Sequence, residues 1–267
     1  MRNPWVWVPT IFGVPRLQLK GVAMPRRGLA VTVLALAVVS MLFGTAFTSC
    51  GPQTCAKPAH VLSGNLATVK LGSGVEVDND VWNQSEAGPQ KTYVCSFHSW
   101  YAVANQPALA SNPGSIKSYP DTQFLIGGKN VSQYTSLASN FAESFRRTGE
   151  WDAAYDVWLN NYSIEVMVWN EWTTHATIPQ PGSVPVTIDG VKYGMWHSGS
   201  DYIALARSAG QVKSGSVDIA HVLKWLVTQH LVKNTDVPNS IEYGVEIAST
   251  AGTSQRFDVT NVTLTIK

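Results

Sequence analysis

Glu165 occupies a position in the sequence that favours catalysis. It lies in Tyr162–Trp169, a stretch in which small apolar residues alternate with a second set that includes Glu165, Met167 and Trp169. A glutamate in the middle of a strand, between a methionine and a tryptophan, is costly on a buried face and unusual on a plain solvent-exposed face. The pattern therefore predicts a concave, partly dry groove.

Two further carboxylates extend this pattern. Asp156 lies in Ala154–Trp158, on a predicted neighbouring strand, and Glu246 lies in Glu242–Ile247, on the same strand face as Gly244. Cleavage of a glycosidic bond requires two carboxyl groups across a saccharide groove: one protonates the leaving oxygen, and the other attacks the anomeric carbon or activates water. The structural alternative is that each acid is a rim residue or half of an ion pair. Two glutamates in mid-strand positions beside aromatic residues favour glycoside hydrolysis.

Motifs for other chemistries are missing from the sequence. Gly72-Ser-Gly74 lacks the third glycine of a dinucleotide fingerprint, and no helical pattern follows it. The sequence has neither a phosphate-binding G-x-x-x-x-G-K motif nor a G-x-S-x-G nucleophile elbow. Its six histidines are scattered, without the spacing of a metal site. We therefore predict neither a metal nor a cofactor.

Composition narrows the class of ligand. The 267 residues are 45% hydrophobic and 14% charged, with ten tryptophans and a formal net charge of +1. Residues 1–49 hold five basic and no acidic residues, so residues 50–267 carry 14 Lys and Arg against 18 Asp and Glu. A mildly acidic domain does not suit nucleic acid, whereas flat aromatic faces suit stacked sugars.

A basic and then apolar segment precedes the predicted domain. Met24-Pro-Arg26-Arg27 opens a charge-free run over 28–56, which is typical of a secretory signal and favours Met24 as the true start. The run also exceeds the roughly 20 residues that span a bilayer. Cleavage, retention as an anchor and lipidation at Cys50 are thus alternatives. We expect a signal or anchor in 1–49, one catalytic domain in 50–267, and a secreted monomer, with membrane anchoring at the cell surface as the alternative.

The three cysteines are Cys50, Cys55 and Cys95. Disulfides persist in exported domains, and an odd number leaves one cysteine over. We predict a Cys55–Cys95 disulfide, with Cys50 free, lost with the signal or lipidated.

The composition of residues 51–267 is typical of an all-β domain. Runs rich in Val, Ile, Thr, Tyr and Trp alternate with turn-forming Gly, Asn, Asp, Ser and Pro. Apolar spacing over Val217–Val232 predicts one α-helix, with Ser216 and Asp218 available for its first turn. A weaker pattern of apolar spacing over Val131–Arg147 suggests a second α-helix. Many short strands and a helix indicate a β-sandwich or jelly roll. Predicted strands cover Leu66–Leu71, Val75–Val77, Tyr93–Phe97, Tyr162–Trp169, Val184–Ile188, Tyr193–His197, Tyr202–Ala206, Tyr243–Ile247 and Phe257–Ile266.

Over most of residues 55–267 the sequence resembles glycoside hydrolase family 12, the endoglucanases and xyloglucan hydrolases. The resemblance depends on the order and spacing of segments that are weak signals individually. The segments are Asn79-Asp-Val-Trp82-Asn83, Cys95, Ile116-Lys-Ser-Tyr-Pro120, Ala154-Tyr-Asp156-Val-Trp-Leu159, Glu165-Val-Met-Val-Trp169, the helix over 217–232 and Tyr243-Gly-Val-Glu246.

This resemblance implies a β-jelly-roll sandwich of two antiparallel sheets, with a concave cleft, one packed helix and a β-glucan substrate. It implies a retaining mechanism with Glu165 as nucleophile, Glu246 as general acid/base and Asp156 beside the nucleophile. Retention further implies that the two glutamate carboxyls are about 5–5.5 Å apart. The implied substrate-binding residues are Asn79, Asp80, Trp82 as a stacking platform, and Met167 and Trp169 in the cleft floor.

The chain departs from the family pattern in three places. Asp80 replaces the usual Asn, Glu246 is followed by Ile-Ala, and Asn170-Glu171-Trp172 is expected to add a carboxylate and an indole to one rim. The family 11 xylanases share the fold, but Met167-Val-Trp169 fits family 12 better. The preferred β-glucan stays open. A non-catalytic glycan-binding jelly roll is the alternative function, although a lectin needs no carboxylate triad.

Overall fold

The computed structural model describes residues 54–108, 115–173, 182–208 and 211–267, which lie in one compact unit that is mostly β. The predicted signal or anchor in 1–49 and Cys50 lie outside the described residues. The strands are β1 His60–Leu62, β2 Thr68–Gly72, β3 Val75–Asp78, β4 Gln90–Ser96, β5 Ser99–Ala104, β6 Asp121–Leu125, β7 Leu137–Phe145, β8 Glu150–Leu159, β9 Ile164–Trp172, β10 Val184–Ile188, β11 Val191–Ser198, β12 Tyr202–Arg207, β13 Ser214–Asp218, β14 Pro238–Ser249 and β15 Gln255–Ile266.

The strands form two sheets of a jelly-roll sandwich, as predicted. One has six strands in the order β1-β4-β5-β15-β7-β13, and the other has nine in the order β10-β11-β12-β9-β8-β14-β6-β3-β2. Every pair in these sheets is antiparallel except β9 and β12, which run parallel. The expectation of wholly antiparallel sheets was wrong at this pair because the β10–β11 hairpin separates β9 from β12 along the chain.

The main core fills the space between the sheets. Its largest side chains include Trp100, Phe141, Tyr155, Tyr243 and Phe257, all buried. Alternation along the central strands sends every second residue into this core and leaves the residues between them on the opposite face. The central strands of the nine-stranded sheet therefore present a second, outward-facing set of side chains.

The helical predictions had different outcomes. The helix α1 spans Ile219–Thr228 and is shorter than predicted, because β13 occupies the residues just before it. Asp218 caps it by accepting a hydrogen bond from the Ala220 N–H. The second predicted helix was wrong: Val131–Gln133 is a single 3₁₀ turn, and Leu137–Phe145 is β7. In β7 buried and more exposed residues alternate, which is the strand period.

The Cys55–Cys95 disulfide is present, with Cα atoms 5.5 Å apart. It links the segment before β1 to β4, and β1 itself pairs with β4. Within the part of the chain that the model describes, none of the helical segments is long and apolar enough to cross a membrane.

Candidate active site

The outward face of the nine-stranded sheet carries a small apolar floor. Its buried members are Ala154, Met167, Trp169, Trp172, Ala204 and Ala206, with Trp196 and Tyr202 packed against them. Alanines on β8 and β12 leave room above the sheet, while the indoles and Met167 supply flat or polarizable surface. These residues therefore form an apolar surface on the face of the sheet that points away from the sandwich core.

The three predicted catalytic carboxyls lie on this same face, on adjacent strands. On β14, Tyr243, Val245 and Ile247 point into the core, so Glu246 points outward. On β9, Val166 and Val168 point into the core, so Glu165 points outward. Strand β8 runs between them and contributes Asp156. The structure thus brings together the carboxyls that sequence reasoning singled out.

Strand register sets the spacing of these acids along β8. Glu165 lies opposite Trp158 of β8, and Glu246 lies opposite Asp152. Asp156 lies between these two levels, opposite both Met167 and Glu242. The two glutamates therefore lie on the two strands that flank β8, and Asp156 lies on β8 at a level between theirs.

The glutamates are half-buried and their charges interact. Burial, followed by the charge of Glu246, raises the pKa of Glu165 to about 8. Burial raises the pKa of Glu246 to about 7. The roles of nucleophile and proton donor for these two glutamates are those that the resemblance implies.

Asp156 is buried beside this pair. Burial first, then the charges of Glu165, Glu242 and Glu246, raise its pKa well above the usual range, while a hydrogen bond with Trp158 opposes the rise. Burial and the neighbouring acids therefore favour the protonated form of the Asp156 carboxyl, because ionisation would add a further negative charge.

Asp152 is a site residue that sequence reasoning missed. It is buried, faces outward with Asp156, and lies directly opposite Glu246 in the β8–β14 register. A signal was available: Asp152 and Asp156 are four residues apart on one strand, so their side chains share a face. The position of Asp152 beside Glu246 depends on the β8–β14 register.

A second acidic pair lies farther along the same face. Asp121 of β6 and Glu242 of β14 are both buried, and their strands are neighbours in the sheet. Burial, followed by the charge of Glu242, raises the pKa of Asp121 well above its usual range. Gln123 and Ser240 donate hydrogen bonds to Glu242. The described residues contain no group of three or more acidic, His or Cys side chains arranged to hold a metal ion.

The predicted substrate-binding residues before β4 fall in different environments. Trp82 is 45% exposed and free to meet a ligand. Asn79 is completely buried: its amide donates to the Gly64 carbonyl and accepts from Thr92. Asn79 therefore fits a structural role and not direct contact with substrate. The motif that suggested it gave no information on burial.

Asp80 sits at the bend that leads to Trp82. Its φ of 28° lies in the left-handed region, and its carbonyl accepts a hydrogen bond from the Tyr119 N–H. Its charge is one of those that raise the pKa of Asp121, after burial and the charges of Glu242 and Asp78. The side chain of Asp80 thus lies near Asp121, and its predicted role in substrate binding stays a prediction.

Met167 and Trp169 form the centre of the floor. The Trp169 indole N–H and the Tyr202 hydroxyl both donate to the Met167 sulfur, at 3.3 and 3.4 Å. Trp169 also packs edge-on against Trp196, with ring centroids 5.1 Å apart. These contacts hold the side chains in one arrangement below the space where a sugar would lie.

An aromatic pair stands next to Glu165. The rings of Trp158 and Tyr162 are 5.8 Å apart, and Tyr162 is 44% exposed. Tyr162 ends a turn in which it, Asn160 and Asn161 all have positive φ values, from 53° to 64°. Such backbone is costly for residues other than glycine and is typical of functional sites.

The expectation that Glu171 adds a carboxylate to the rim is wrong. The β8–β9 pairing skips Asn170, so Glu171 lies opposite Ala153, a core residue. Glu171 is buried and accepts a hydrogen bond from Arg147 at 2.8 Å. A β-bulge shifts alternation by one residue and so turns Glu171 inward. The expected indole is present, because Trp172 returns to the floor.

Comparison with known proteins identifies the fold. No family model matches the chain, and no curated protein matches it. Solved structures do match. The xyloglucanase domain of NopAA, a type three effector from Sinorhizobium fredii in complex with cellobiose, is 29% identical, with a TM-score of 0.69 over 79% of this chain and 100% of that one.

Two further structures show the same fold at lower identity. A family 12 xyloglucanase from Bacillus licheniformis is 19% identical, with a TM-score of 0.67 over 78% of this chain and 100% of that one. The catalytic domain of Humicola grisea Cel12A, in complex with a soaked thio cellotetraose, is 18% identical, with a TM-score of 0.68 over 78% of this chain and 99% of that one.

The resemblance to glycoside hydrolase family 12 is therefore confirmed, and the chain has this family's fold. Together, the neighbours support a glycoside hydrolase of the cellulase and xyloglucanase type.

Proposed function

We propose that the protein is a secreted, retaining endo-β-1,4-glucanase that acts on β-glucan. The observation that carries this proposal is the placement of Glu165, Asp156 and Glu246 on three adjacent strands, on one face, beside an apolar floor that contains tryptophans. Retaining hydrolysis needs a nucleophilic carboxylate and a separate carboxylic acid, and this face supplies both.

In the proposed first step, Glu165 attacks the anomeric carbon while Glu246 gives its proton to the departing glycosidic oxygen. In the second, Glu246 takes a proton from water as the water oxygen bonds to that carbon and the bond to Glu165 breaks. Asp156, protonated, stabilises the ionised form of Glu165. Both glutamates are half-buried, so each can reach a sugar from the cleft side.

The substrate class follows from the chemistry of the floor and from the neighbours. A β-1,4-glucan backbone is common to cellulose, mixed-linkage glucan and xyloglucan, and its flat rings suit the exposed indole of Trp82. The Sinorhizobium neighbour is a xyloglucanase solved with cellobiose. We therefore propose the glucan backbone as the recognised element.

A non-catalytic glycan-binding protein is the second candidate, because an aromatic floor would serve that role too. The buried carboxyls favour the enzyme, since buried acids are costly and a binding protein gains nothing from their proton chemistry.

The test is release of reducing sugar from soluble β-glucans by the purified chain, with Glu165→Gln as the matched control. Release that the substitution abolishes supports the proposal. Binding of the same glucans without any release would establish the glycan-binding alternative. NMR of the first-formed product completes the test, because inversion of the anomeric configuration would contradict the retaining mechanism.

Secretion is proposed on two grounds. The basic and apolar N-terminal sequence resembles an export signal, and a disulfide is typical of an oxidising compartment. Mass spectrometry of the mature N-terminus from the native host tests it. A chain that retains residues 1–49 inside the cell would contradict it.

A further inference from the structure

Asp152 and Glu246 lie directly opposite each other in the β8–β14 register, on the outward face of the nine-stranded sheet. Asp152 is only 3% exposed, and no N–H or hydroxyl of the described residues donates to its buried Oδ1. Two neighbouring carboxyl groups can form a hydrogen bond only if one is protonated, because an ionised carboxylate has no proton to donate. A bond between Asp152 and Glu246 therefore requires that the pair hold at least one proton.

The surroundings of the pair contain acids and phenols, which disfavour ionisation. Glu165, Asp156, Tyr119 and Tyr202 interact with the charge of Glu246. Glu143, from the six-stranded sheet, interacts with Asp152. Trp172 of the floor lies opposite Asp152 on its other side and limits its contact with water.

We propose that Asp152 is a positioning residue for the general acid: its protonated carboxyl donates a hydrogen bond to Glu246 and stabilises the carboxylate left when Glu246 releases its proton. This proposal rests on the proposed function. It concerns a residue whose role sequence reasoning did not assign.

Burial and neighbouring charge support donation from Asp152 to Glu246. Burial, then the charge of Glu246 and the bond to it, raise the pKa of Asp152 well above its usual range. For Glu246, burial raises the pKa, whereas the hydrogen bond from Asp152 lowers it. Asp152 thus keeps its proton and makes Glu246 a stronger acid than burial alone would allow.

Proton balance is preserved through both steps. When the glycosidic bond breaks, the Glu246 proton moves to the departing oxygen, and Asp152 retains its own proton and bonds to the new carboxylate. When water attacks the glycosyl–Glu165 ester, Glu246 recovers a proton from that water. Asp152 neither gains nor loses a proton over the cycle.

The kinetic test uses Asp152→Asn, which keeps the shape and a hydrogen-bond donor but cannot ionise. An amide donates a weaker hydrogen bond to a carboxylate than a carboxylic acid does, so the pKa of Glu246 should rise in this variant. The alkaline limb of the pH profile of kcat/KM, measured on a β-glucan oligosaccharide, should therefore move up by about one pH unit. Asp152→Ala, which lacks any donor, should move it further. Asp121→Asn is the matched control, because it alters another buried acid of the same sheet and should leave the alkaline limb in place. A limb that stays unmoved in both Asp152 variants would overturn the proposal.

A substrate-free readout separates this proposal from the proposed function. Carboxyl ¹³C NMR of the wild-type chain should show Asp152 and Glu246 titrating as a coupled pair, and Asp152→Asn should leave Glu246 with a single step at higher pH. A wild type that cleaves no β-glucan but shows the coupled titration would reject the enzyme function and retain the pair. Independent titration of Glu246 in the wild type, unchanged by Asp152→Asn, would reject the pair itself.

Discussion

Gly244 lies directly opposite Asp121, and the two strands approach so closely that Gly244 has no room for a side chain. A Cβ built on Gly244 would be 2.3 Å from the Pro120 carbonyl oxygen and 2.7 Å from the Asp121 Cβ. The glycine therefore allows β6 to lie against β14 and Asp121 to reach Glu242 across the space that a side chain would fill.

Gly244→Ala should destabilise the fold, because the obstructing atoms include backbone of β6, which must shift. We expect a loss of about 1–3 kcal/mol in the free energy of unfolding, measured by chemical denaturation. The matched control is Gly215→Ala in β13, where the nearest atoms, in the Phe141 ring, are 3.4 Å away. Equal losses in the two variants would show that the approach at Gly244 is not the cause.

Replacement of the two glutamates should separate their roles. Glu165→Gln should lower kcat by on the order of 10⁴-fold on any substrate, because the nucleophile is lost. Glu246→Gln should be nearly as severe on an oligosaccharide but much milder on an activated aryl glycoside, whose departure needs no proton. Steady-state kinetics on both substrates measure this, and a mild effect of Glu165→Gln on either one would contradict the assignment.

Trp82→Ala should weaken glucan binding and leave stability unchanged. The indole is 45% exposed, so its removal costs little core packing, and we expect the free energy of unfolding to change by less than ~0.5 kcal/mol. Binding should fall by about tenfold, or ~1.4 kcal/mol, as measured by calorimetry with a cello-oligosaccharide.

Trp100→Ala is the contrasting variant. This indole is completely buried and donates to Thr122, so its removal should cost roughly 3–5 kcal/mol of stability. The opposite result, a large loss of stability in Trp82→Ala with normal binding, would identify Trp82 as a packing residue.

The Cys55–Cys95 disulfide closes a separation of 40 residues. Replacing both cysteines by alanine should lower the free energy of unfolding by about 3–4 kcal/mol, because the unfolded chain regains entropy. Denaturation with and without reductant measures this. The reductant should weaken the wild type and leave the double variant unchanged; a wild type insensitive to a reductant that opens the bond would contradict the estimate.

The buried acids should make the fold less stable as pH rises above neutrality. An acid whose pKa is higher in the folded state binds more protons there, so stability falls between the unfolded pKa and the folded one. For Glu165 and Glu246 the folded values are about 8 and about 7, against 4.5 as the ordinary value. The melting temperature should therefore fall from pH 5 to pH 8.

Neutral variants provide the check on this pH dependence. Glu165→Gln and Glu246→Gln each remove one titrating group with little change in shape, so each should flatten part of the decline. A decline of full size in both would assign the effect to other buried acids, such as Asp121 and Glu143.

The sequence by itself determined the class of fold and the composition of the site. Alternation in Tyr162–Trp169 and in Phe257–Ile266 is a local property, since successive side chains of any strand point to opposite faces. It therefore placed Glu165 and Met167 on the face opposite the core, as the structure has them. The disulfide was predictable too, because few pairings are open to three cysteines.

Local pattern could not reveal what depends on pairing between distant segments. Whether Leu137–Phe145 is helix or strand was decided by its pairing with β15 and β13. Asn79 resembled a ligand-binding residue, but it is buried and its side chain is hydrogen-bonded to Gly64 and to Thr92 of β4.

Strand register and one bulge decided the rest of the candidate site. The bulge at Asn170 turned Glu171 into the interior, and the β8–β14 register put Asp152 against Glu246. A shift of one residue would have sent these side chains to the other face. Register and bulges are set by packing over the whole sheet, so the partners of each carboxyl are properties of the tertiary structure alone.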